Sequence, residues 1–287
     1  MPTIQVIAGI MLLYGGGELL VNGGIGIGKR LNISPMLVGL TVVSFGTSLP
    51  ELATSIYAAL LGSTEMAMGN IIGSNISNIG LVLGLAACVK TVSMGAQRPR
   101  RFLWRDLLAV VLCAAVIWPL LLDGKVDRTE GLTLLAGLVV YLYVVFHSGD
   151  RSVQDEVGDA QGGEVSPRSG TTWLVLFTGS GCVLLVVGAD LLVRGGVTLA
   201  KEFDVSEAVI GLTVVALGTS LPELASTLVA CARGETEMAI GNVIGSNIFN
   251  VLCVLGLTAA VTPVRASGAE MGGDLLVLGT MTLVMTI

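Results

Sequence analysis

The chain has 287 residues, 53% of them hydrophobic and 13% charged, with a formal net charge of −6 and a mean hydropathy of +0.86. Soluble domains carry about 25% charged residues, so this composition places most of the chain in lipid and excludes a disordered protein. The negative balance excludes a nucleic-acid binder. The five cysteines are scattered through apolar stretches without a C-x-x-C pair, which excludes a disulfide scaffold.

Apolar windows long enough to cross a bilayer fall near residues 4–28, 34–61, 65–89, 103–122 and 129–147. A second set falls near 171–193, 205–232, 236–262 and 270–287. No Lys or Arg precedes Lys29, so the first window reads as a retained span and not as a signal peptide. Glycine reaches 39 residues while aromatics are only 5%. That balance suits closely packed helices and not a β-barrel with aromatic girdles. Between the two sets, residues 148–170 are Gly/Ser-rich and acidic and read as a flexible aqueous linker. This gives three segments: a first repeat over 1–147, the linker over 148–170 and a second repeat over 171–287.

The chain contains itself twice. Residues 39–85 and 211–257 align at an offset of 172 without a gap, and 31 of the 47 paired positions are identical. The same offset carries GELLV at 17–21 onto ADLLV at 189–193. Five membrane crossings separate the second window from the seventh, so the two copies enter from opposite faces. Inverted repeats of this kind meet at a binding site near the bilayer midplane. With the N-terminus outside, ten of the fifteen basic residues face the cytoplasm, Lys29, Arg30, Arg105 and Arg233 among them, and the positive-inside rule selects that orientation.

Each copy holds Gly-Thr-Ser-Leu-Pro-Glu inside an apolar span, at 46–51 and 218–223. Pro50 and Pro222 lack an N–H and clash with the carbonyl four residues earlier. They free the carbonyls of Gly46 and Gly218 and weaken the next bonds, at Thr47 and Thr219. A freed carbonyl in hydrocarbon needs a partner, and a cation is one. Glu51 and Glu223 follow directly, and a carboxylate at mid-bilayer marks an ion path. The second half of each copy, Gly-Asn-x-Ile-Gly-Ser-Asn-Ile-x-Asn, sets Ser74 and Asn78 on one helix face and repeats this with Ser246 and Asn250.

Together these residues make an all-oxygen set with two negative charges, which matches one divalent or two monovalent hard cations. Gly69, Gly73, Gly241 and Gly245 are spaced for close packing of the two site helices. Asn75 and Asn247 fall off the Ser/Asn face by helical phase. Glu18 and Asp190 correspond across the repeat and read as span-end or vestibule residues. Glu65 and Glu237 read as acids in a first helical turn, and His147 as an interface residue.

The paired GTSLPEL and GN-x-IGSNI-x-N segments closely resemble the two α-repeats of the cation/Ca²⁺ exchanger superfamily, and most of all its prokaryotic Na⁺/Ca²⁺ exchangers. The resemblance implies an all-α, polytopic membrane protein of ten helices in two inverted five-helix repeats. In this chain the last helix is missing from the pattern, because only 28 residues follow Ala259. It implies that Glu51 and Glu223 are the principal acidic ligands and that Thr47 and Thr219 offer backbone carbonyls to Ca²⁺. Ser48, Ser74, Ser220 and Ser246 would form Na⁺ sites, with Asn78 and Asn250 at the centre. The first and sixth helices would slide across the core, and three Na⁺ would exchange for one Ca²⁺.

Many relatives carry Asp where this chain has Asn250, and that substitution argues against K⁺ co-transport. The expected activity is therefore antiport of Na⁺ against Ca²⁺ in the plasma (inner) membrane, exporting Ca²⁺, with antiport of Ca²⁺ or another cation against H⁺ as the alternative. The protein is expected to be no enzyme, to use no cofactor beyond the transported ions, to bind no nucleic acid and to act as a monomer.

Overall fold

A computed structural model of the chain describes residues 1–89, 100–147, 170–205, 216–266 and 268–286. The linker up to residue 169 and the GLTVV stretch at 211–215 lie outside the described residues. The helices are α1 (Pro2–Leu31), α2 (Pro35–Thr47), α3 (Leu49–Leu60), α4 (Thr64–Val89), α5 (Arg100–Leu120) and α6 (Arg128–His147). The second half gives α7 (Thr171–Glu202), a helical turn at Ala216–Gly218, α8 (Leu221–Ala232), α9 (Thr236–Val261) and α10 (Gly268–Met285).

The apolar windows read from the sequence are helical over most of their described residues, with breaks at Ser48 and at Thr219–Ser220. Among the described residues, α1, α4, α6, α7 and α9 are each long and apolar enough to cross a membrane. α2 and α3 form a further span bent by 40°. α10 takes in the second repeat the place of α5 in the first, and no described helix takes the place of α6.

Local chemistry sets the helix ends. Asn32 stops α1 in the left-handed region (φ 55°, ψ 47°). Two residues later Ser34 accepts a bond from the Leu37 N–H, with Pro35 in the first turn of α2. Asp127 and Glu130 close a reciprocal capping box on α6. The Asp127 carboxylate accepts from the Thr129 and Glu130 N–H groups at 2.8 and 2.9 Å, and the Asp127 N–H donates to Glu130 at 2.8 Å. The Thr129 hydroxyl also donates to Asp127, at 2.6 Å, and these bonds hold its carboxyl below the usual range. Two-residue strands, β1 (Lys125–Val126) and β2 (Val264–Arg265), pair antiparallel and pin the α5–α6 turn to the chain leaving α9.

Two glycine seams fix the helix packing. α1 and α7 run antiparallel in close contact, with glycines every seven residues on each helix: Gly9 lies opposite Gly188 and Gly16 opposite Gly181, while Gly23 meets Thr178 and Gly195 meets Pro2. A Cβ on Gly9 would lie 2.8 Å from the Gly188 carbonyl oxygen, and one on Gly16 2.9 Å from that of Gly181. Only glycine admits backbones at that separation. The two sets of glycines are 172 residues apart, so the seam pairs each repeat with the inverted copy of itself.

The second seam joins α2 to α9, where a Cβ on Gly39 would meet the Met238 carbonyl and one on Gly241 the Met36 carbonyl. The expected four-residue glycine spacing works in this way for Gly241 and Gly245, while the stretch repeat-related to their partners lies outside the described residues. Gly241 and Gly245 pack on α2, whereas a Cβ on Gly69 or Gly73 would meet no described atom within 4 Å. The apolar core lies between α2, α4, α5, α6, α9 and α10, around Leu40, Met68, Ile117, Ile244 and Leu255.

Candidate ion-binding site

Proline decides the shape of the site. Pro50 falls in the first turn of α3, where a missing N–H costs nothing because that donor has no intrahelical partner. The span therefore does not simply kink. It stops at Thr47, passes through Ser48 (φ −82°, ψ 3°) and restarts at Leu49. Ser220 repeats this with φ −84° and ψ 2°, and α8 restarts at Leu221. Each Glu then sits in the first turn of a new helix, at its positive end. π-helical turns at Gly39–Val43, Asn78–Leu83 and Asn250–Leu255 add local irregularity beside the breaks.

Of the ten residues expected at the site, Thr47, Ser48, Glu51, Ser74, Asn78, Ser220, Glu223, Ser246 and Asn250 are buried, and Thr219 is partly exposed. Both Glu51 and Glu223 are 0% exposed. The contacts run across the repeats. Glu51 lies within electrostatic reach of Glu223 and Thr219 of the second repeat and of Ser74 of its own. Glu223 is faced by Thr47 and Ser48, and Ser48 donates to its Oε1 at 3.3 Å.

Asn250 donates to Asn75 at 3.1 Å. Asn75 therefore reaches the opposite repeat despite its helical phase, because here it meets a second helix. Sequence reasoning passed over Asn70 and Asn242. Asn70 accepts from Thr219 and Asn242 from Thr47, both at 3.4 Å. The signal available was their recurrence at the same offset.

This centre is rich in acceptors and poor in donors. Both Glu51 oxygens, Glu223 Oε2, Asn250 Oδ1, Asn78 Oδ1 and Nδ2, Ser220 Oγ and Ser246 Oγ are buried without a hydrogen-bond partner among the described residues. Buried polar groups ordinarily find partners, and two carboxyls without a basic neighbour in an apolar slab are costly. Among the described residues no cluster of three or more His, Cys, Asp or Glu exists, so the donor set is hard oxygen with two acids. Such a set suits Ca²⁺ or Na⁺ and not zinc or copper.

The two repeats stand in different surroundings. α1 packs along α8, while α3, the counterpart of α8, has no comparable contact with α1 or α7 among the described residues. Val229 on α8 is 6% exposed, whereas Tyr57 at the repeat-related position on α3 is 66% exposed. Arg233, at the end of α8, bonds Glu18 and Asn22 of α1. Glu18 therefore belongs to an ion pair between helices. Its counterpart Asp190 pairs within α7, with Arg194 at 2.8 Å, and Leu61 stands where the second repeat has Arg233. Glu65 and Glu237 lie in first turns as expected, and His147 ends α6.

The family model for "Sodium/calcium exchanger protein" matches residues 1–147 and 173–287. The chain belongs to this family. It is 36% identical to the inner membrane protein YrbG of Escherichia coli strain K12, over 92% of this chain and 81% of that one. It is 27% identical to the sodium/calcium exchanger MaX1 of Methanosarcina acetivorans, over 98% of this chain and 89% of that one. A solved structure of the sodium-calcium exchanger NCX_Mj superposes with a TM-score of 0.82 at 32% identity, covering 99% of this chain and 88% of the other. The exchanger fold is thus present across both repeats, and the family is one of transporters.

Proposed function

We propose that this exchanger is a secondary antiporter that moves Na⁺ against Ca²⁺ by alternating access. Two carboxylates on inverted, broken helices share one dehydrated site, and that pairing carries the reading. Their combined charge is neutralised equally by one Ca²⁺ or by two Na⁺, so the ions compete instead of adding. In this reading Glu51 and Glu223 are the acidic ligands, and Thr47 and Thr219 turn backbone carbonyls to Ca²⁺. Ser48, Ser74, Ser220 and Ser246 complete Na⁺ sites, and Asn78 and Asn250 sit at the centre. Residues 1–147 and 171–287 act as the two repeats, joined by the acidic linker.

The one-sided packing supports alternating access. α1 seals α8 and leaves α3 uncovered, and exchanging the environments of the two repeats opens the other face. With the N-terminus outside, the sealed face is cytoplasmic, and an inward Na⁺ gradient across the plasma membrane drives Ca²⁺ out.

The neutral oxygens favour Na⁺ over H⁺ as the counter-ion, because a proton needs only the carboxylates. Reconstituted vesicles preloaded with Na⁺ should take up radiolabelled Ca²⁺ when external Na⁺ is removed. Imposed K⁺ or pH gradients should not substitute. Uptake driven by a pH gradient in Na⁺-free buffer instead assigns the protein to Ca²⁺/H⁺ antiport.

A further inference from the structure

We propose that Asn70 and Asn242 are positioning residues that set the width of the ion site, each by tying the acid-bearing helix of one repeat to the broken turn of the other. This rests on the exchanger reading above.

The Asn242 amide nitrogen donates to Thr227 at 2.9 Å, to Ser226 at 3.1 Å and to the Glu223 carbonyl at 3.5 Å, all within its own repeat. Its carbonyl oxygen accepts from Thr47 of the other repeat at 3.4 Å. Asn70 reproduces the arrangement. Its nitrogen donates to Ser55 at 3.0 Å and to the Glu51 carbonyl at 3.4 Å, and its oxygen accepts from Thr219 at 3.4 Å. Every partner of Asn70 corresponds to a partner of Asn242 at the offset of 172, and Asn242 has Ser226 in addition. The two ties are thus a single device used twice about the pseudo-twofold.

An amide is suited to this because it carries donors and an acceptor on one rigid plane. Once the nitrogen is fixed to the acid's own helix, the direction of the oxygen is fixed too, and with it the place of the opposite Thr. The separations of Glu223 from the Thr47 turn and of Glu51 from the Thr219 turn are each spanned by one amide. The Thr47 hydroxyl also has the Ser44 carbonyl as acceptor, at 3.3 Å. Its proton is therefore committed to the protein, and the side chain anchors the turn.

The test is a pair of double-mutant cycles read on the apparent KM for Ca²⁺ in vesicle uptake. Asn242→Leu and Thr47→Val are close in volume to the residues they replace and remove the tie from either end. Each should raise KM about tenfold, and the double variant should be no worse than the poorer single one, as for two ends of one interaction. Thr47→Ser, which keeps the hydroxyl, should stay within about twofold of wild type. The cycle Asn70→Leu with Thr219→Val repeats the measurement in the less buried copy, should the first pair fold poorly. Normal KM with reduced maximal flux in the Asn variants makes their role merely structural and overturns the proposal. Multiplying losses overturn it too, because Thr47 then acts independently of Asn242. Wild-type uptake that ignores Na⁺ overturns the exchanger reading alone, since the KM for Ca²⁺ stays measurable with whichever counter-ion drives it.

Discussion

Glu51→Gln should reduce Na⁺-driven Ca²⁺ uptake to the level of empty vesicles, and Glu223→Gln should do the same. Both carboxyls are fully buried, one in each repeat, and Ser48 of the first repeat donates to Glu223 of the second. Gln keeps the shape and removes the charge, leaving a single acid to balance a divalent ion. At an effective dielectric of about 20, one charge pair about 4 Å apart is worth about 4 kcal/mol. Losing even half of the doubled value for a divalent ion weakens binding by more than about 100-fold. Among the described residues no cluster of three or more His, Cys, Asp or Glu exists that would supply a further acid to the ion. Glu51→Asp keeps the charge but withdraws it by one methylene, so it should retain a measurable fraction of the flux. Uptake by either Gln variant within a few fold of wild type contradicts the assignment of these two residues.

The second large effect belongs to the seam between α1 and α7. Gly16→Val and Gly181→Val should each lower the melting temperature in detergent and abolish uptake. A Cβ on Gly16 would lie 2.8 Å from the Leu185 nitrogen, and one on Gly181 2.6 Å from that of Leu20. Backbone cannot yield to this as a side chain can, so the helices must part. Overpacking of this sort costs about 1–3 kcal/mol. The loss spreads along the seam because its glycines recur every seven residues. Gly15→Val is the control, since a Cβ there meets nothing within 4 Å while the change in composition and helix propensity is the same. If Gly16→Val melts and transports like Gly15→Val, the seam is not what joins the pair.

Much of this was legible in the sequence because duplication is a long-range signal written into one chain. The offset of 172 paired Glu51 with Glu223 and Ser74 with Ser246, and the span count gave their inverted relation. What stayed hidden depends on how helices turn against one another. Periodicity put Asn75 off the site face, yet a neighbouring helix from the other repeat brings it Asn250. Pro50 marked where carbonyls would be freed but not that the helix would stop and restart there, which it does because proline is better placed in a first turn than in an interior.

The partners of Glu18 could not be read either. Arg233 lies 215 positions away, and nothing in the spacing of either residue announces the other. The one-sided seal is least legible of all. The repeats share most of their sequence, and which of them α1 covers shows only in the structure, in the packing of α1 on α8 and in the contrast between Val229 and Tyr57.

The central claim is that one site holds Ca²⁺ or Na⁺ but not both at full occupancy. Equilibrium binding of radiolabelled Ca²⁺ to the purified protein, measured as Na⁺ is raised at constant ionic strength and pH, tests it most directly. Ca²⁺ should be displaced with a dependence steeper than first order in Na⁺, while K⁺ at the same concentrations leaves it bound. Ca²⁺ that stays bound at saturating Na⁺ contradicts the account.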